Sequence, residues 1–511
     1  MADRLRPGDL AYLRAETSST PMHNVTLEIF EPGESGFDYE RLVSLIEDRL
    51  AFVPRYRQRL RTVVNGLGTP VWVDDRDFDI TFHVRRSAIP TPGGMDQLRE
   101  LVARIAARRL DRGRPLWEMY LIEGLEKGRF AILSKSHQIL VDGISTIDIG
   151  QVILDVEATP PPRVHDDWSP APPPTAAALL SQAVSETARN PRMALETVRD
   201  LSGPLLKMAE PVLDRVTELA GSFTSRRVAP DSPLNVPLSR QRLFVAVKTD
   251  LEDFRRVRHE HGGTINDVVL ATVTGALRSW LMTRAESVEG GRFLRAMVPM
   301  SVIDHDLEPT SLGSQVAGHL LNLPVSEGSP LVRLHQVSYA LKAHKEAGRS
   351  VAAERLLHVA GFAPTTFHAL GSRVAMETWP RGFNLAITNV PGPQFPLFAA
   401  GARMLESYPV QPLIAEHALA IGVTSYDGSV YFGLNADREV VPDVEVIGQC
   451  LVDALAELVD TSGPERRQAP RGRKAAPAKS PAKSPAKSSV KSPVKSPVKS
   501  PGKTSRGKDP T

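Results

Sequence analysis

Apolar residues follow two alternating rhythms along the first 140 positions. The run Asn24 to Phe30 (NVTLEIF) predicts a strand, and Leu42, Leu45, Ile46 and Leu50 then recur at the three-to-four spacing of an amphipathic helix. Leu98, Leu101, Val102 and Ile105 mark a second helix, which ends in the basic pair Arg108-Arg109, a favourable charge at a helix C-terminus. Trp117 to Ile122 and Arg129 to Lys135 predict two strands joined by a short turn carrying Gly124 and Gly128.

The rhythm breaks from Ala158 to Thr175 (ATPPPRVHDDWSPAPPPT), where proline can continue neither a helix nor a central strand. Residues 176 to about 224 are helix-prone but loosely patterned. After a second Pro-rich break the mixed rhythm returns, with strands predicted at Leu243 to Val247, Phe293 to Val298 and Leu385 to Thr388. Thr264 is placed to cap a helix through Asp267, Val268, Leu270, Val273, Leu277 and Leu281. Ala418 to Ser425 and Val430 to Leu434 flank Asp427-Gly428, a hairpin signal because glycine permits the positive φ of a tight turn. Val444, Ile447, Leu451, Leu455 and Leu458 predict the last helix. The expected fold is therefore α/β with mixed sheets, in two domains: 1–157, and 241–462 after a crossover over 158–240.

Charge adds a fourth segment. The 511 residues sum to only +3, yet from Gly463 onward there are 14 Lys/Arg against 2 Asp/Glu, so a tail of +12 follows a body of −9. Lys-Ser-Pro recurs in this tail at Lys479, Lys483, Lys491, Lys495 and Lys499. With almost no apolar surface to offset ordering entropy, residues 463–511 are expected to be disordered. One cysteine, Cys450, excludes an intramolecular disulfide and a cysteine metal cluster. It is read as a small buried hydrophobe in a reducing compartment. No run approaches ~18 apolar residues, and MADRLRPGDL lacks the apolar core of a signal peptide, so a cytoplasmic chain with at most peripheral membrane contact is expected.

Chemistry-bearing motifs are few: there is no P-loop and no G-x-S-x-G elbow. His259-Glu260-His261 places its histidines two apart, off a common helical face, and is read as a solvated turn beside Gly262-Gly263. Ser134 to Ser145 (SKSHQILVDGIS) is more informative, because a strand there runs into His137, Gln138, Asp142 and Gly143 before a helix expected from about Ser145. A strand end fixes geometry while opening to a cleft. The plain structural alternative is a helix-entry turn, with Asp142 near the helix N-terminus and Gly143 supplying backbone freedom.

Over about residues 5 to 460 the chain resembles the bacterial wax ester synthase/acyl-CoA:diacylglycerol acyltransferase family, within the CoA-dependent acyltransferase superfamily. The resemblance rests on Pro21-Met22-His23, Pro115-Leu116-Trp117-Glu118, the HQILVDG segment, Asn266-Asp267-Val268-Val269-Leu270-Ala271 and Val298-Pro299-Met300-Ser301. It continues through Asn389-Val390-Pro391-Gly392-Pro393, Ser407-Tyr408-Pro409-Val410 and Ser425-Tyr426-Asp427-Gly428. It implies two chloramphenicol acetyltransferase-like domains with an active-site tunnel between them. It also implies transfer of a long-chain acyl group from acyl-CoA to diacylglycerol or a long-chain alcohol, with no cofactor beyond the acyl-CoA substrate. His137, Gln138, Asp142 and Gly143 then fall at catalytic-motif positions, and Asn266, Asp267, Asn389, Pro391 and Gly392 at substrate-binding ones.

The family motif has two histidines, three variable residues, then Asp-Gly, and the second histidine is taken as the general base. Here that position is Gln138, whose amide does not titrate. Ser314 also stands where the family usually has Asn, Ile303 where a basic residue is usual, and Gln411 where Gly is more common. Two functions are thus expected to compete: a weakened O-acyltransferase, and a non-catalytic paralogue that binds acyl-CoA or neutral lipid. The tail suits an anionic membrane or lipid-droplet surface, or less readily nucleic acid, or serves only as a solubilising arm.

Overall fold

The computed structural model describes residues 3–34, 36–62, 69–140, 148–159, 166–175, 177–178, 229–301, 316–344 and 382–463. The helix-prone stretch from about 179, the segment carrying Ile303 and Ser314, and the Lys-Ser-Pro repeats lie outside the described residues.

Helix α1 (Pro7–Ala15) leads into β1 (His23–Glu31), the strand expected from NVTLEIF. Helix α2 (Tyr39–Leu50) is capped by Asp38, which accepts from Arg41 N at 2.8 Å, and it buries the predicted stripe Leu42, Leu45, Ile46 and Leu50. A short pair, β2 (Gln58–Arg61) and β3 (Val71–Asp74), is followed by α3 (Ile80–His83), β4 (Val84–Gly93) and α4 (Met95–Ala106). Next come β5 (Trp117–Leu125), β6 (Phe130–His137) and α5 (Ile149–Val152).

The second half holds β7 (Arg242–Asp250), α6 (Leu251–His261), α7 (Ile265–Thr283), β8 (Leu294–Ser301), β9 (Val316–Leu323) and α8 (Pro330–His344). Strands β10 (Leu385–Val390), β11 (Phe398–Ala399), β12 (Ala402–Val410), β13 (Leu419–Tyr426) and β14 (Ser429–Asp437) precede α9 (Val444–Thr461). Thr264 caps α7 as expected: its hydroxyl accepts from Asp267 N at 3.2 Å while Asp267 Oδ2 accepts from Thr264 N at 2.9 Å. The β13–β14 turn has positive φ at both Asp427 (42°) and Gly428 (82°). His259-Glu260-His261 is not a turn but the end of α6, where His261 Nε2 sits 3.0 Å from Thr461 Oγ1 of α9. Cys450 is buried in α9.

The strands form two six-stranded mixed sheets, ordered β11-β12-β1-β6-β5-β4 and β7-β14-β13-β10-β8-β9, confirming the α/β class. They do not part at one point in the chain. β11 and β12 come from the second half, yet β12 lies antiparallel to β1, with Val410 opposite Val25 and Tyr408 opposite Leu27. β12 also presses on the other sheet: a Cβ on Gly433 of β14 would lie 1.8 Å from Pro409 O, so only glycine allows this approach. The first hydrophobic core accordingly mixes Leu27, Trp117 and Leu133 with Phe244, Tyr408 and Tyr431 from the second half.

Candidate active site

β1 and β6 meet antiparallel with His23 opposite His137. The ladder runs one residue further, as Gln138 N donates to Met22 O at 3.0 Å, and Gln138 then opens a 3₁₀ turn over Gln138–Leu140. Asp142 and Gly143 lie outside the described residues. The helix expected from about Ser145 begins, among the described residues, at Ile149, with Asp148 as its N-cap.

Alternation along a strand sends His137 and Gln138 to different partners. His137, 1% exposed, joins His23 and the buried carboxylate of Glu16. Glu16 Oε1 is 3.2 Å from His23 Nε2 and 3.9 Å from His137 Nε2. Its Oε2 accepts from Arg112 at 2.6 Å and Arg109 at 3.2 Å. Burial alone would raise the Glu16 pKa, but the hydrogen bond to His23 and the neighbouring positive charges outweigh it and hold the carboxyl well below its usual range.

The histidines are displaced in the other sense. Burial, reinforced by His23, pushes His137 down to about 3; burial, reinforced by Lys135, pushes His23 down to about 4. Both rings are therefore neutral at neutral pH. His137 Nδ1 is within 3.2 Å of Ile139 N and accepts from it. A ring that resists protonation this strongly is a weak proton acceptor.

Lys135, on the same face and fully buried, donates to the carbonyls of Ile105 (3.0 Å) and Arg108 at the end of α4. Burial lowers its pKa to about 8. This cation closes the C-terminus of α4 and ties it to the motif strand.

Gln138 belongs to the opposite face. Its side chain is wholly buried, and its Nε2 donates to Asn24 Oδ1 at 2.7 Å, while Gln138 Oε1 and Asn24 Nδ2 have no hydrogen-bond partner among the described residues. On this face Ser136 Oγ donates to Asp148 Oδ2 at 2.7 Å, and Ile149 N donates to the Tyr56 hydroxyl at 3.2 Å.

The expected substrate-binding residues form a second constellation. Asn389 Nδ2 donates to Asn266 Oδ1 at 2.9 Å, joining β10 to the first turn of α7. Asp267 is engaged in the α7 cap and accepts from Ser338 Oγ at 2.9 Å. Pro391 and Gly392 lie in the loop after β10, which latches onto the β13–β14 hairpin: Gly392 N donates to Ser425 Oγ (3.2 Å), Asp427 N to Pro393 O (3.0 Å) and Gly428 N to Gln394 Oε1 (3.0 Å). A Cβ on Gly392 would lie 2.0 Å from Ser425 O.

Glu16, Asn24, Arg109 and Arg112 carry no functional expectation from sequence. Glu16 has only one faint signal, being the sole acid between Asp9 and Glu28. His23 also lines a small cleft between the sheets, with Val25, Arg242, Val410, Leu413 and Asn435 among its walls.

Residues 5–269 match the wax ester synthase/diacylglycerol acyltransferase catalytic domain, and residues 312–459 match the WS/DGAT C-terminal domain. A probable diacylglycerol O-acyltransferase of Mycobacterium tuberculosis, tgs3, is 44% identical over 265 residues, 50% of this chain and 96% of that protein. Another from the same organism, tgs1, is 36% identical over 447 residues, 86% of this chain and 91% of its own length. Among solved structures, the wax ester synthase/diacylglycerol acyltransferase of Marinobacter aquaeolei VT8 aligns over 90% of this chain and 100% of its own, with TM-score 0.63 and 27% identity. The first condensation domain of the CDA synthetase, at TM-score 0.53 and 14% identity over 91% of this chain and 97% of its own, shares the fold.

Proposed function

The chain belongs to the wax ester synthase/diacylglycerol acyltransferase family, and from that premise we propose that it is an acyl-CoA-dependent O-acyltransferase making triacylglycerol or wax ester. The acceptor hydroxyl oxygen attacks the thioester carbonyl carbon, a C–O bond forms as the C–S bond breaks, and the hydroxyl proton ends on the departing CoA thiol. The observation that carries this reading is the family match across both halves of the chain, with the motif strand held in register beside β1. Gln138 Oε1 accepts a hydrogen bond from the attacking hydroxyl and orients it, so positioning supplies much of the rate. His137 keeps the strand in place. Asn266, Asn389 and the Pro391-Gly392 loop border the acyl-CoA path.

A second reading, a non-catalytic paralogue binding acyl-CoA or neutral lipid, is favoured by one observation. Gln138 is tied to Asn24, and the neighbouring histidine is a neutral, weakly basic ring. Purified full-length protein given labelled oleoyl-CoA with diolein or hexadecanol separates the two. Ester above background supports transfer; bound acyl-CoA with background ester overturns it in favour of the paralogue.

Among the described residues no helix is long and apolar enough to cross a membrane. The +12 tail supports peripheral attachment to an anionic lipid surface on the cytoplasmic side, at about 1 kcal/mol per basic residue near that surface. Co-sedimentation with anionic vesicles should fall when residues 463–511 are removed; equal sedimentation of both forms rejects the attachment.

A further inference from the structure

Asn24 and Gln138 are the first polar pair on the inner face of the motif ladder, 6% and 0% exposed. A reciprocal amide pair would use both groups of each side chain. Here only Gln138 Nε2 and Asn24 Oδ1 meet, at 2.7 Å, leaving one acceptor, Gln138 Oε1, and one donor, Asn24 Nδ2, buried without partners. Buried polar groups are ordinarily satisfied, so two orphans of opposite character, on bonded neighbours at the motif position, describe the ligand that would complete them.

We infer that Asn24 and Gln138 together form a hydroxyl-recognition subsite for the acceptor, in which the acceptor O–H donates to Gln138 Oε1 while its oxygen accepts from Asn24 Nδ2. This rests on the proposed acyl transfer and names the group recognised at that site. An alcohol is donor and acceptor at once and completes both orphans. A thioester or ester carbonyl only accepts, and would leave Gln138 Oε1 unsatisfied. Asn24 is then a positioning residue in two ways: it fixes the Gln138 amide through the 2.7 Å bond, and it holds the acceptor oxygen with a lone pair turned from Nδ2. The lost imidazole is replaced by an amide pair that orients the nucleophile without taking its proton.

The test compares binding of 1-hexadecanol and hexadecyl methyl ether, which lacks the donor, to the full-length protein, beside binding of oleoyl-CoA. The wild type is expected to bind the alcohol about 5- to 10-fold more tightly, the effect of about one net hydrogen bond. Gln138→Met, near-isosteric, should bring the two ligands within about twofold, whereas Asn24→Leu, which removes a donor that either oxygen accepts from, should weaken both by about 5- to 10-fold; binding of oleoyl-CoA should be unchanged in both variants. Equal affinity of the wild type for alcohol and ether overturns the subsite without any variant having to fold. Undiminished affinity of Asn24→Leu for both ligands removes Asn24 from it. Alcohol-selective binding with no ester formed would sink the transfer reaction and leave the subsite standing.

Discussion

The rings of His23 and His137 meet edge to face across the β1–β6 ladder, 5.7 Å between centroids, and both are neutral. This neutrality has a pH consequence. Above pH 6.5, the ordinary histidine value, folded and unfolded chains both leave these rings uncharged, and pH does not act through them. Below it the unfolded chain binds protons that the folded chain refuses until about pH 4 and 3, so stability falls as the medium acidifies. Glu16, lowered beneath 4.5, adds a further loss below that pH. Urea midpoints should therefore decline from pH 7 to pH 5, and decline less steeply in His137→Gln. A wild-type midpoint constant across that interval would mean that these rings take up protons in the folded protein as they do in the unfolded chain.

Glu16 is the anion on which this cluster depends. Glu16→Ala should lower unfolding free energy by about 2–3 kcal/mol, below the full cost of breaking a buried pair because the two arginines keep contact with water. Glu16→Gln, which retains an acceptor for His23, should lose less. Equal losses in denaturant titrations of the two variants would show that the charge contributes nothing.

Replacing the amide with an imidazole tests the site directly. Gln138→His should raise turnover of oleoyl-CoA and diolein by about 10²–10⁴-fold, the usual contribution of a positioned base. The variant's rate should climb with pH as the introduced ring loses its proton, whereas the wild-type rate, with no titrating group at that position, should be flat from pH 6 to 8. A rate unchanged by the substitution would show that an imidazole at this position adds nothing to the transfer.

Gly392→Ala should strain the latch between the loop after β10 and the β13–β14 hairpin, since its Cβ would fall 2.0 Å from a backbone oxygen that cannot turn aside. A loss of about 1–3 kcal/mol is expected, read as a lowered melting temperature. An unchanged melting temperature would indicate that the hairpin is free to shift.

The Asn266–Asn389 bond predicts energetic coupling between α7 and β10. A double-mutant cycle to alanine should return about 0.5–1.5 kcal/mol of interaction in denaturant titrations, and an additive cycle would show the contact to be incidental.

Much of this protein was legible in its sequence because the relevant physics is local. Apolar periodicity placed β1, α2, α4, β5, β6, α7 and α9 within a few residues, Thr264 announced its cap, and Asp427-Gly428 its hairpin. The motif segment and its glutamine were equally visible, since residue identity at a strand end requires no fold. What tertiary structure decided was partnership across long sequence separations. No periodicity tells that β12 would leave the sheet of its sequence neighbours and pair with β1, because strand order is fixed by packing between distant segments. Nor does any pattern assign Glu16 to two histidines, or Asn24 to Gln138, 114 positions away. Sequence alone placed a glutamine at position 138; only the packed ladder places a neutral histidine on one face and a half-satisfied amide pair on the other, because successive residues of a strand face opposite sides and the chain that fills each side comes from elsewhere.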